Sequence, residues 1–332
     1  MLVVAAAHAV TSAAADSPTR AFRVPSTALS SSVTIRRAVS SAVAGGFDTV
    51  VAPVAIGPRN GSEPLDGEVE LLRLARESGL RVHLSLAVNV AAGVDELPAS
   101  REHVIYQHPE WLMVPRQLAA EMLAVDVRSP GYLGRIARWT RANADRVSGI
   151  YVSPLDPDAA SYLVGAIAAA VARHTPDGVY LESVDFPGTD FDYSRHAMGV
   201  FRTHTRAVLP PAEREHLDAV EAIDPFAYAE EFPDQWREFR ESALTRLLDR
   251  LRATLTVSHP SLLVTVGAAS DPDGSVRDHF QDWRAWLERG IVDRIGYPSR
   301  SSGIVLFSAD GAIPPDPVPA TSARGAADGE PR

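Results

Sequence analysis

From about residue 20 onward the chain repeats one cadence: an amphipathic stretch, a glycine or proline, then a short apolar run. The runs occupy residues 22–27, 49–55, 81–90, 149–153, 178–183, 262–269, 293–297 and 303–308. Most are β-branched with little polar alternation, as in strands buried on both faces of a parallel sheet. Helix patterns lie between them. Within 34–44, Ile35, Ala38, Val39, Ala42 and Val43 share a side, and Gly45-Gly46 supplies the stop. Residues 68–78 carry Val69, Leu71, Leu72 and Leu74 ahead of Gly79. Asp158 is placed to cap a helix running to His174, and Pro233 opens a long one through Leu251. Residues 275–289 carry Phe280, Trp283, Trp286 and Leu287. Eight strand patterns alternating with helices predict an α/β fold, a (β/α)8 barrel of the TIM type. A doubly wound sheet is the runner-up, weakened because no G-x-G-x-x-G follows the first strand.

One connection breaks the pattern. Only residues 298–302 separate the seventh run from the eighth. A parallel crossover needs a dozen or more residues, usually a helix. The barrel is therefore expected to be incomplete or irregular there: either the eighth run is not a neighbouring parallel strand, or a βα unit is missing. The predicted barrel domain spans 20–308, and the Pro-, Ala- and Gly-rich stretch 309–332 reads as a disordered tail. At the other end, LVVAAAHAV followed by Ala13-Ala14-Ala15 resembles a signal-peptide core with an A-x-A site, although no basic segment precedes it. Residues 1–15 are read as that signal, implying a secreted or periplasmic protein. No other apolar stretch is long enough to span a bilayer.

Two zeros narrow the chemistry. All 32 basic residues are arginine, and there is no lysine and no cysteine. Schiff-base lysines, pyridoxal-phosphate anchors, P-loop lysines, thiol nucleophiles and thiolate metal sites are excluded. The formal charge of −10 argues against nucleic-acid or anionic-membrane partners. The ten histidines form no H-E-x-x-H, and there is no G-x-S-x-G, so neither a metal nor another cofactor is expected. Carboxylate chemistry is the main option that remains.

A barrel holds its site at the C-terminal ends of its strands. The polar residues expected there are Ser26, Thr27, Asn89, Ser153, Asp156, Glu182, Asp185, Asp271, Asp273, Ser308 and Asp310. The stretch ESVDFPGTDFDYS, which includes Tyr193, mixes carboxylates with aromatics. Such a mixture suits a sugar site, where rings pack on aromatic faces and paired acids work on the glycosidic bond. Acidic turn residues around Pro187-Gly188 would give the same composition. Glu182 closes the strand VYLE and is the sharper candidate, as a general acid or as the ion-pair partner of an arginine such as Arg116. Trp111, within HPEWLMVPR, is the tryptophan expected to be exposed, and His83 reads as a hydrogen-bonded core histidine.

Segments GGFDTVVAPV, GLRVHLSLAVNV, GIYVSPLDP, PDGVYLESVDFPGTDFDYS, FQDWRAWLERGIVD and SGIVLFS, in that order, resemble the secreted bacterial glycosyl hydrolase-like family 10. The resemblance implies a glycoside hydrolase-type barrel acting on O-glycosidic bonds of a polysaccharide. Glu182 and Asp185 would be the catalytic carboxylates, with Asp156 or Asp271 as other partners. Asn89, Trp111, Arg116, Asp156, Tyr193 and Asp271 would contact carbohydrate. Departures are concentrated at strand ends. Where the family reads like DGIHLDYVRYP, this chain has DGVYLESVDFP, so Glu182, Ser183 and Asp185 replace Asp, Tyr and Arg. Pro53 and Ala55 stand for a usual Gln and Arg, Ser85 and Ala87 for Trp and Asn, while Asn89 is kept. These exchanges leave a second reading open: an eroded barrel that binds carbohydrate without turnover.

Overall fold

The computed structural model describes residues 19–56, 66–95, 97–268, 271–299 and 303–312. The signal-like segment at 1–15 and most of the expected tail fall outside them. Nine strands are described: β1 (Thr19–Arg23), β2 (Thr49–Pro53), β3 (Arg81–Ala87), β4 (Val90–Gly93), β5 (Gly149–Tyr151), β6 (Gly178–Glu182), β7 (Leu263–Gly267), β8 (Arg294–Pro298) and β9 (Ile304–Ser308). They form a closed barrel in the order β1-β2-β3-β6-β7-β8-β9, with β4 and β5 as a separate two-stranded ribbon. The α/β barrel expected from the cadence is the fold.

Both departures from eightfold regularity have a physical cause. The link between β8 and β9 is too short for a crossover but long enough for a hairpin, so β9 turns back. It pairs antiparallel with β8 on one side and with β1 on the other, closing the barrel. The irregularity foreseen at residues 298–302 is thus a reversed closing strand. The fourth apolar run does not enter the barrel. β3 pairs directly with β6, from His83↔Gly178 to Ala87↔Glu182, and takes the edge the run would have filled. Residues 149–151 pair instead with β4, antiparallel, outside the barrel. Gly149 permits this approach, because a Cβ there would lie 2.0 Å from the Ala92 carbonyl oxygen.

Local boundaries moved for identifiable reasons. The first run ends as strand at Arg23, and Ser26–Ser30 form a 3-10 turn. Ser31 caps the helix Ser32–Ala44 through Thr34 N–H. Asp156, not Asp158, caps Pro157–His174, accepting from Asp158 N–H at 2.8 Å and Ala159 N–H at 3.0 Å. The helix expected over 275–289 is two pieces, Pro272–His279 and Trp283–Glu288, divided at Phe280 with φ 60°.

The core has two compartments. The larger lies between the outer sheet face and the helices. The smaller fills the barrel: Ala21, Val51, Tyr180, Val305 and Phe307 pack together, with His83 stacked on Phe307 at 5.4 Å. Tyr180 fits because its neighbours have no side chain; a Cβ on Gly296 would come 2.5 Å from its ring, and one on Gly267 2.8 Å from its hydroxyl. His83 is a core residue, but its Nδ1 is buried without a hydrogen-bond partner, and burial pushes its pKa down to about 4.

Candidate active site at the barrel mouth

Side chains two residues apart on a strand point the same way. One step above Ala21, His83 and Tyr180 therefore come Arg23, Ser85 and Glu182, projecting together at the mouth. Arg23 Nη2 donates to Glu182 Oε2 at 2.7 Å, and Ser85 Oγ donates to Glu182 Oε1 at 2.5 Å. Glu182 side-chain exposure is 23%, that of Arg23 49%, so the pair is reachable from solvent. Both donors act on carboxylate oxygens, an arrangement suited to an ionised group that gives electrons rather than a proton.

A cavity of 860 Å³ opens beside the pair, lined by Arg23, Ser85, Glu182, Pro53, Ala87 and Gly303 among others. A second acidic residue on its wall is Glu68, buried in the first turn of the helix Asp66–Glu77. Sequence reasoning missed Arg23 and Glu68. Arg23 was legible from strand period once β1 was known to end there; Glu68 looked like one more helix-face carboxylate.

The other expected residues lie elsewhere. Asp185 is not on this wall. It lies three residues past the end of β6, half-buried, with Oδ1 enclosed and without a hydrogen-bond partner. Burial pushes its pKa up to about 6, opposed by the charge of His279. Asn89 is fully buried, tying the end of β3 to the ribbon: its carbonyl accepts from Val152 N–H at 2.8 Å and its N–H donates to Ser183 at 3.2 Å. Trp111 is only 8% exposed, its ring stacked 3.7 Å from His108, so the expected exposed aromatic is a packed one. Arg116 pairs with Glu230 at 2.7 Å and lies over Phe226 and Tyr193; the arginine that meets Glu182 is Arg23. Tyr193 packs edge-on to Phe226 and Trp236.

Asp156 is occupied as a helix cap, 3.3 Å from His196 Nε2. Ser153 and Asp156 follow β5 and so leave the barrel rim with it. Asp271 is exposed at the start of Pro272–His279 and makes no capping bond. Ser308 ends the reversed β9 and Asp310 follows it, which carries both to the opposite end of the barrel; it is Gly303, before that strand, that reaches the mouth.

Another unforeseen feature holds the loop after β6. Asp192 is fully buried, and its Oδ1 accepts from Val114 N–H and Ser194 N–H at 2.8 Å each. Its Oδ2 accepts from Ser194 Oγ at 3.0 Å. Arg240, also buried, donates to the carbonyls of Thr189 and Phe191. Among the described residues no group of three His, Asp or Glu side chains converges as a metal site, and no helix is long and apolar enough to cross a membrane.

The chain forms a closed, irregular α/β barrel with a carboxylate held at a strand end of its mouth. The model of the family Glycosyl hydrolase-like 10 matches residues 55–298, and the chain belongs to that family. No curated protein sequence matches it. Among solved structures, the β-galactosidase of Rahnella sp. R3 is similar with a TM-score of 0.51 at 16% identity, over 87% of this chain and 40% of that one. The β-galactosidase of Bacillus circulans sp. alkalophilus gives 0.51 at 12%, over 85% and 40%. The chain spans about two fifths of those enzymes. The PgaB (BpsB) glycoside hydrolase domain of Bordetella bronchiseptica is similar over 84% of this chain and 73% of its own, at 13% identity and a TM-score of 0.49.

Proposed function

We propose that the protein hydrolyses O-glycosidic bonds of a polysaccharide, with Glu182 as the ionised carboxylate of the reaction. The observation that carries this reading is the pair of donors, Arg23 and Ser85, that hold Glu182 on the wall of an open cavity at the barrel mouth. In that role Glu182 takes a proton from water, or attacks the anomeric carbon itself, while a second carboxylic acid protonates the leaving oxygen. Asp185 is the candidate for that acid, because burial keeps its proton up to about pH 6. Export, expected from residues 1–15, is consistent with a polysaccharide substrate outside the cytoplasm.

A second reading, carbohydrate binding without turnover, is favoured by one observation: Asp185 is not on the wall that holds Glu182. Hydrolysis across a panel of soluble polysaccharides, repeated with Glu182→Gln, Asp185→Asn and Glu68→Gln, separates the possibilities. The proposal expects Glu182→Gln to abolish release of reducing ends while the fold, followed by circular dichroism, is kept. Undiminished turnover in that variant removes Glu182 from the mechanism. Loss in Glu68→Gln but not in Asp185→Asn transfers the proton-donor role to Glu68.

A further inference from the structure

Beside the main cavity lies a smaller niche of 130 Å³, and Val54, Ala55 and Ala87 line both. The two spaces are therefore adjoining, separated by a sill whose side chains are short. Val90 and Ala91 of β4 and Val152, just past β5, form one wall of the niche, and Tyr162 and Leu163 of the helix Pro157–His174 another.

Its chemistry differs from that of the main cavity. The main cavity presents Arg23, Glu182, Glu68 and Ser85. Around the niche, aliphatic side chains are interrupted by two polar residues, His103 and Tyr162, and among the described residues no Asp, Glu or Arg takes part. Burial lowers the pKa of His103 and raises that of Tyr162, which favours the neutral form of each. The niche thus offers apolar walls and uncharged hydrogen-bonding groups. A sugar hydroxyl or ammonium group placed there would lose its water to walls that cannot replace it. A short acyl group suits it: the methyl or methylene carbons meet the walls, and the one carbonyl oxygen can accept from a neutral phenol or imidazole N–H.

We propose that the niche is an acyl-recognition subsite, and that the sugar unit bound beside Glu182 carries a short neutral acyl group, as an amide or an ester, directed over the Ala55–Ala87 sill. This rests on the reading of the main cavity as a sugar site. A niche matched to a few carbons can discriminate by roughly 10–200-fold.

The test is calorimetric titration of the full chain with two matched pairs of oligosaccharides on a β-1,4-linked glucan backbone. One pair is chitosan oligosaccharides and their N-acetylated counterparts; the other is cello-oligosaccharides and their O-acetylated counterparts. The expected result is at least about tenfold tighter binding of the acylated member in one pair, which also identifies amide or ester as the linkage. Ala91→Leu, which grows a side chain into the niche from β4, is expected to bring that ratio close to one. If Ala91→Leu fails to fold, Tyr162→Phe keeps the ring, removes the hydroxyl and is expected to reduce the same ratio. Equal affinity within both pairs, or a preference untouched by a folded Ala91→Leu, overturns the subsite while leaving the sugar-site reading standing. Failure of all four oligosaccharides to bind overturns both.

Discussion

Arg23, the last residue of β1, donates to Glu182, the last residue of β6, at 2.7 Å across the mouth of the barrel. The two are far apart in sequence and not on neighbouring strands; closure of the sheet into a barrel brings them together.

The contact makes Arg23→Ala informative. Half-exposed ion pairs contribute at most about 1 kcal/mol, so the melting temperature should move by only a few degrees. If Glu182 reacts as proposed, loss of its oriented charged donor should reduce kcat/KM on the order of a hundredfold. Initial rates and thermal melts of the same preparation check both. A large loss of stability with undiminished activity would assign Arg23 a structural role only.

Asp185 should give stability a pH signature. Its folded pKa, pushed up to about 6, lies above the 3.8 of an unperturbed aspartate. Between those values the folded state binds more protons than the unfolded one, so stability falls as pH rises through this window and levels off above the folded value. Asp185→Asn, which cannot ionise, should therefore gain on the wild type as pH increases from 4 to 7. Urea midpoints at pH 4, 5.5 and 7.5 for both proteins provide the comparison; a constant difference would show that Asp185 does not titrate in this range.

Gly296 and Tyr180 are complementary in the barrel interior. Gly296→Ala places a methyl group 2.5 Å from the ring, and overpacking of this kind costs about 1–3 kcal/mol. Tyr180→Leu should relieve part of that cost when combined with Gly296→Ala. A double-mutant cycle by chemical denaturation measures the coupling, expected to be favourable.

Removing Asp192 should be expensive. Asp192→Ala strips partners from Val114 N–H, Ser194 N–H and Ser194 Oγ in a buried setting. The expected loss is on the order of 3 kcal/mol, with the Asn variant less affected because it retains one acceptor oxygen. Equilibrium unfolding of the two variants gives the ranking.

The sequence by itself determined the α/β class, most of the strands and the short connection that could not be a crossover. These are local properties: apolar runs of strand length, helix periodicity and chain reach are all fixed by residues near one another in sequence. It also placed Glu182 at a strand end, since VYLE, a short apolar run that ends in a carboxylate, is a local pattern. Tertiary structure alone decided the rest. Whether an apolar run such as 149–151 joins the barrel depends on which edge is free, and β6 had taken the edge of β3. The short link left β9 only a hairpin, but that β9 stays in the barrel and closes it against β1, bringing Gly303 to the mouth, depended on the partner strands on either side. Pairing of Arg23 with Glu182, the burial of Trp111 and Asn89, and the enclosure of Asp185 are all contacts between residues distant in the chain. No local pattern encodes them, because side-chain environment is set by what the closed barrel brings alongside.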